Sequence, residues 1–163
     1  MYRSMIFTAP DYLQKYSDTL AEIICSAETD YYSLDYVEKT LIKSVMIKEF
    51  ESSNVTHIAF DSSIQLYKQL FPRGEATTDD IHLFSPHYWI GEMYIKIFLK
   101  YRVNFETIFA YLPIKKMHQL YGVYHEMDVT QFYSYFESLR EKNMFAIFLR
   151  EKRGNIKVFV GTN

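Results

Sequence analysis

Apolar positions recur at intervals of three and four along most of this chain, and near its end the interval shortens to two. Thr8 with Asp11 three residues on, and Pro10 between them, marks a helix start. Leu13, Tyr16, Leu20, Ile23 and Ile24 then hold one helical stripe, which predicts a first helix ending near Ala27. Ser33 opens a second helix whose apolar positions Leu34, Val37, Leu41 and Val45, flanked by Ile42, Met46 and Phe50, give a broad buried face. Val55 to Phe60 is short, partly β-branched and bounded by Asn54 and Asp61, which fits a strand or an extended link. Asp61 is the predicted cap of a brief helix through Ile64, Tyr67, Leu70 and Phe71, stopped by Pro72 and Gly74.

Residues 72–83 are the most polar and least periodic window, so a surface loop is expected between the amino-terminal helical pair and a main bundle. Ser85 followed by Pro86 is a cap with proline in the first helical position. Ile90, Met93, Tyr94, Ile97 and Tyr101 continue that helix. Asn104 starts a short helix through Phe105, Ile108 and Phe109, and Pro113 breaks and restarts it towards Met117, Leu120, Tyr121 and Tyr124. Asp128 with Gln131 reads as a capping box before Val129, Phe132, Tyr133, Phe136 and Leu139.

After Asn143, Phe145, Ile147 and Leu149 alternate with their neighbours. Lys152 to Asn155 has turn chemistry, and Ile156, Val158 and Val160 alternate again. The fold expected is α+β and mainly α: a multi-helix bundle with a small antiparallel carboxy-terminal hairpin. Such a hairpin needs a third strand for stability, which Arg3 to Phe7 or Val55 to Phe60 could supply. The organisation is one domain over 1–163: a helical pair (8–52), a short helix (62–71), the polar loop (72–83), the main bundle (85–142) and the hairpin (144–160).

Composition adds two facts to that plan. Aromatics make up 18% of the 163 residues, with 15 Tyr and 13 Phe, more rings than a core of this size demands, and tyrosine is enriched where proteins meet. Net charge is only −2, which excludes the overall basic footprint of a nucleic-acid coat, but the charge is uneven. Residues 11–38 carry seven acids against Lys15 alone, a local charge of −6, whereas residues 140–157 carry six bases against Glu141 and Glu151, a local charge of +4. The lone Cys25 cannot form an internal disulfide. No stretch approaches the roughly 18 apolar residues of a membrane span. A cytoplasmic protein with no membrane partner is expected, with homo-oligomerisation left open.

Three groups of residues have chemical potential. Asp79, Asp80, His82 and His87 flank the polar loop, and paired acids beside histidines are raw material for hydrolytic or metal-dependent catalysis. His118, His125, Glu126 and Asp128 are metal-ligand types, but the two histidines are seven apart, about 10.5 Å of helical rise, and Asp128 is the predicted cap. Capping and hydrogen bonding account better for them, so no metal and no cofactor are expected. Arg150, Lys152, Arg153 and Lys157, with Phe145, Phe148 and Phe159, would suit a small nucleic-acid surface on the hairpin or a solvated strand edge. Trp89 beside Tyr88 reads as a core anchor.

Pro86 to Tyr94, Tyr111 to Ile114, Met117, Leu120-Tyr121 and Tyr124 to Asp128 together resemble uncharacterised small helical accessory proteins of Gram-positive bacteria and their mobile elements, some found near toxin genes. The resemblance spans Pro86 to Phe136 and transfers no catalytic residue. It implies an accessory role such as antitoxin, immunity protein or inhibitor, carried by a phage or plasmid. The resulting expectation is a non-enzymatic protein-binding factor acting on a toxin, nuclease or defence component. Its contacts are expected on the acidic, tyrosine-bearing segment: Asp18, Glu22, Glu28, Asp30, Tyr31, Tyr32 and Asp35.

Overall fold

A computed structural model describes residues 10–52, 54, 60–75 and 85–154, with 10, 11 and 145–154 as backbone. Eight helices run through the described residues: α1 (Pro10–Thr29), α2 (Leu34–Lys43), α3 (Val45–Glu51), α4 (Ser63–Leu70), α5 (Pro86–Tyr101), α6 (Phe105–Tyr111), α7 (Ile114–Tyr124) and α8 (Val129–Gly154). Two compact units result, Met1–His125 and Glu126–Asn163. No helix among the described residues is long and apolar enough to cross a membrane.

The core of the first unit is the pairing of α1 with α5. Tyr16, Leu20, Ile23, Ile24 and Ala27 form the buried stripe of α1. In α5, Ile90, Gly91, Met93, Tyr94, Ile95, Ile97 and Phe98 are buried around most of the circumference, the pattern of a central helix. The two backbones touch at Gly91, where a Cβ would sit 2.4 Å from the Ser17 carbonyl oxygen and 3.3 Å from the Ala21 Cβ. Around this seam lies an aromatic cluster. The Phe50 ring is 4.2 Å from Tyr16, 4.8 Å from Phe98 and 5.9 Å from Phe105, while Tyr94 meets Phe109 edge-on at 5.0 Å. The buried Tyr94 hydroxyl donates to the Leu112 carbonyl at 2.8 Å.

Helix starts follow the chain's polar punctuation, with local departures. Asn104 caps α6 by accepting from the Thr107 N–H at 2.9 Å. The cap of α4 is Ser62, one residue after Asp61, and it forms a reciprocal capping box with Gln65. The expected second helix is two helices, because Ser44 adopts an extended backbone (φ −66°, ψ 148°). Its buried hydroxyl donates to the Leu41 carbonyl at 2.6 Å and accepts from the Ile47 N–H at 3.1 Å, closing one helix and opening the next. Two glutamates act at a distance. Glu51 accepts from the Phe105 N–H and Glu38 from the Ile114 N–H, each at 2.7 Å, supplying the carboxylate caps of α6 and α7 from neighbouring helices.

In the second unit, Asp128 accepts from the Thr130 N–H at 2.8 Å and from the Thr130 hydroxyl at 2.6 Å, so it caps α8. Phe132 and Phe136 are buried, and the Arg140 guanidinium lies 5.9 Å from the Phe136 ring centre. The expected hairpin is overturned here: residues 144–154 continue α8 instead of turning into a strand. The physical reason is that Met144 to Leu149 is one uninterrupted apolar run, compatible with either period. Met, Ala, Leu, Arg, Glu and Lys are also strong helix formers, and Asn143 alone does not stop them. Residues 155–160, and the proposed third strands at Arg3 to Phe7 and 55–59, lie outside the described residues.

Candidate functional site

The last turn of α1, Ser26 to Thr29, contains a carboxylate and no base, which runs against the helix dipole. That carboxylate, Glu28, is held by two imidazoles from other helices. His87 in the first turn of α5 places Nε2 2.9 Å from Glu28 Oε2, and His118 in α7 places Nε2 2.6 Å from Oε1. The rings stand edge-to-face, 5.2 Å apart at 78°. Burial alone would push the Glu28 pKa upwards. Hydrogen bonds from His118 and His87 outweigh it and hold the carboxyl at about 2, against an ordinary value of 4.5.

An ionised carboxylate only accepts, so both imidazoles carry their proton on Nε2 and donate it to Glu28. Nδ1 of His87 is enclosed and finds no hydrogen-bond partner among the described residues. One donor atom from each of the three side chains lies within 4.8 Å of the other two. Cys25, one turn earlier, is half-buried. Its thiol pKa is raised first by burial and then by the charge of Glu28, so it is not an activated nucleophile.

The site opens on a surface pocket of about 390 Å³ lined by Glu28, Tyr31, Tyr32, Leu34 and His118. Its rim is made by the end of α1. The Tyr32 N–H bonds the Ala27 carbonyl at 2.9 Å and the Tyr31 N–H bonds the Glu28 carbonyl at 3.0 Å, the paired closure of a Schellman motif. The left-handed residue such a motif demands is Tyr31, at φ 61°, with 94% of its surface exposed. Tyr32 turns inward, 4.9 Å from Phe71 and stacked at 5.6 Å on Tyr36. Two residues beyond Glu28, Asp30 accepts from the Tyr67 hydroxyl and, at 2.8 Å, from the Glu75 N–H. Gly74 permits this closure, since a Cβ there would lie 2.3 Å from the Tyr67 hydroxyl oxygen and 2.7 Å from Asp30 Oδ2.

The residues singled out from sequence are therefore dispersed in role. Of the loop set, only His87 falls within the described residues; Asp79, Asp80 and His82 lie outside them. Of the acidic set, Asp18 accepts from Gln14 at 2.8 Å and Glu22 from the Tyr88 hydroxyl at 3.2 Å, while Asp30 is committed to Tyr67 and Glu75. Tyr31 and Asp35 are exposed. His125 donates from Nδ1 to the Tyr121 carbonyl at 2.7 Å, its ring stacks on Tyr121, and Tyr121 meets Trp89 edge-on at 5.7 Å. Trp89 itself is half-buried. Arg150, Lys152 and Arg153 lie on α8, and Lys157 is outside the described residues. Sequence reasoning missed the union of Glu28 with His118, which are 90 positions apart. The one local signal was an acid in a helix's last turn with no base to offset it. No family model, curated protein or solved structure matches this chain.

Proposed function

We propose that this chain is a non-enzymatic protein-binding accessory factor of the inhibitor, antitoxin or immunity type, and that it recognises a cationic protein surface through Tyr31, Tyr32, Asp35 and Tyr36. The observation that carries the reading is Tyr31, whose ring is 94% exposed while its backbone occupies the left-handed region at φ 61°. A bulky residue there costs about 1–2 kcal/mol, and glycine would avoid that cost, so a solvent-facing tyrosine in that position is best accounted for by what the ring touches outside the molecule. Tyrosine offers a large rigid contact with few torsions to freeze. The local charge of −6 over residues 11–38 supplies the complementary electrostatics.

The test uses the full chain and a Tyr31→Ala/Asp35→Ala/Tyr36→Ala variant as affinity baits. A partner retained by the native chain, lost by the folded variant and released by added salt supports the reading. Equal capture by both baits removes this surface, and salt-independent capture removes the cationic partner.

A second reading, a metal-dependent hydrolytic enzyme, draws on one observation: His87, from the candidate loop set, converges with Glu28 and His118. Its test is hydrolysis of phosphoester or peptide substrates with added Zn²⁺ or Mn²⁺, abolished by His118→Gln.

A further inference from the structure

Glu28, His87 and His118 come from three different helices, α1, α5 and α7, so their convergence is built by tertiary packing and not by local chain geometry. Both histidines present the same nitrogen, Nε2, to opposite oxygens of one carboxylate. Two imidazoles and a carboxylate form a donor set suited to zinc and other divalent transition ions; calcium and magnesium prefer all-oxygen surroundings. We propose that Glu28, His87 and His118 bind one divalent transition-metal ion of the zinc class, with a remaining coordination position facing the pocket lined by Tyr31 and Tyr32. This goes beyond the partner-binding reading and does not depend on it.

The three donor atoms are already gathered within 4.8 Å of one another. Around an ion with ligand bonds of about 2.1 Å, tetrahedral donor atoms stand about 3.4 Å apart. The present separations of 2.6 and 2.9 Å between carboxylate and imidazole are those of hydrogen bonds, so both imidazoles already aim Nε2 at the carboxylate. Binding an ion requires each neutral imidazole to carry its proton on Nδ1 instead, which frees the Nε2 lone pair, and requires donor atoms that now lie within 4.8 Å of one another to settle at tetrahedral spacing. Charge also favours binding, because the carboxylate offsets half of the dication's charge while both imidazoles stay neutral. Three protein ligands with one open position is the arrangement of zinc sites that accept an exogenous donor. The pocket of about 390 Å³ beside Glu28 and His118 has room for a water, or for a side chain of a bound partner.

The test is calorimetric titration of the chelator-treated full chain with Zn²⁺, with Mg²⁺ as control and Co²⁺ as a visible-absorption probe. One Zn²⁺ per chain is expected, with Mg²⁺ giving no heat. Glu28→Gln and His118→Gln should each weaken binding at least about 100-fold, at or beyond the loss seen when supporting residues of metal sites are removed. Cys25→Ser and His125→Gln should bind as the native chain does. In the native protein, nitrogen chemical shifts of the His87 and His118 imidazoles should change together up to one equivalent of Zn²⁺, a readout that survives if a variant fails to fold. Absence of stoichiometric binding, equal response to Mg²⁺, unchanged affinity in both site variants, or unmoved His87 and His118 resonances would each overturn the proposal.

Discussion

Glu28 and Asp30 are two residues apart at the end of one helix, both half-buried and both engaged from other parts of the chain, yet they sit in chemically different surroundings. Asp30 is gripped by a tyrosine hydroxyl and a backbone N–H. The Tyr67 pKa is raised by burial and by Asp30, so that donor stays neutral and simply holds the chain at Gly74 to Glu75 against α1. Glu28 is gripped by two imidazoles, side chains that exchange protons near neutrality and ligate metals. One acid is a staple and the other a site. Partner identity, not burial, makes the distinction, and it can be tested by removing each acid in turn.

The largest expected effect is acid lability at Glu28. Its folded pKa of about 2 lies below the ordinary 4.5, so above that ordinary value the depressed pKa contributes its full stability, and this contribution is lost as pH falls through the window from 4.5 to about 2. A shift of that size corresponds to about 3 kcal/mol. With 27% of the side chain exposed, water screening reduces the expected loss to about 2 kcal/mol. Urea denaturation of the native chain between pH 5 and pH 2 should show it, and Glu28→Gln should flatten that part of the profile. An unchanged profile in Glu28→Gln would mean that the imidazole bonds do not hold the carboxylate as described.

Next in size, and of similar sign, is loss of the staple. Asp30→Ala takes the acceptor from the Glu75 N–H and leaves the Tyr67 hydroxyl to the longer 3.4 Å bond with the Ser26 carbonyl, which should cost about 2 kcal/mol by thermal or urea unfolding at pH 7. The comparison sharpens in the second readout: Asp30→Ala should leave Zn²⁺ affinity unaltered, whereas Glu28→Gln should weaken it at least about 100-fold. Gly74→Ala attacks the same staple from the other side. Its new Cβ would press on the Tyr67 hydroxyl and Asp30, and about 1 to 2 kcal/mol should be lost, again with no effect on the metal.

The reach of sequence reasoning follows the range of the interactions. The starts of α5 and α6 at Pro86 and Phe105, and the restart of α7 after Pro113, were legible because caps and prolines act within a turn. The core stripes of α1 and α5 were legible because burial imposes a helical period on the chain itself. The break at Ser44 was not, since a serine inside an apolar stripe looks identical whether its hydroxyl points to solvent or caps a new helix. The end of α8 was misread because an unbroken apolar run carries no period to choose between helix and strand. The Glu28 site was invisible for a further reason: its members are 59 and 90 positions from Glu28, and only the packing of α5 against both α1 and α7 brings them together.

The smallest effect has the opposite sign and bears on Tyr31, which follows the staple residue Asp30 and lines the pocket beside Glu28. A left-handed residue between Asp30 and Tyr32 closes α1, and glycine is the residue that position favours. Tyr31→Gly should therefore relieve about 1–2 kcal/mol of backbone strain, offset in part by the greater freedom of glycine in the unfolded chain, for a net gain near 0.5 to 1 kcal/mol. Because the ring is 94% exposed, little packing is lost with it. A raised melting temperature together with weakened partner capture would mean that the tyrosine is retained for contact at a cost in stability, the trade expected at a binding surface. A lowered melting temperature would mean instead that the ring supports the pocket rim, and Tyr31 would then belong with Asp30 as scaffold.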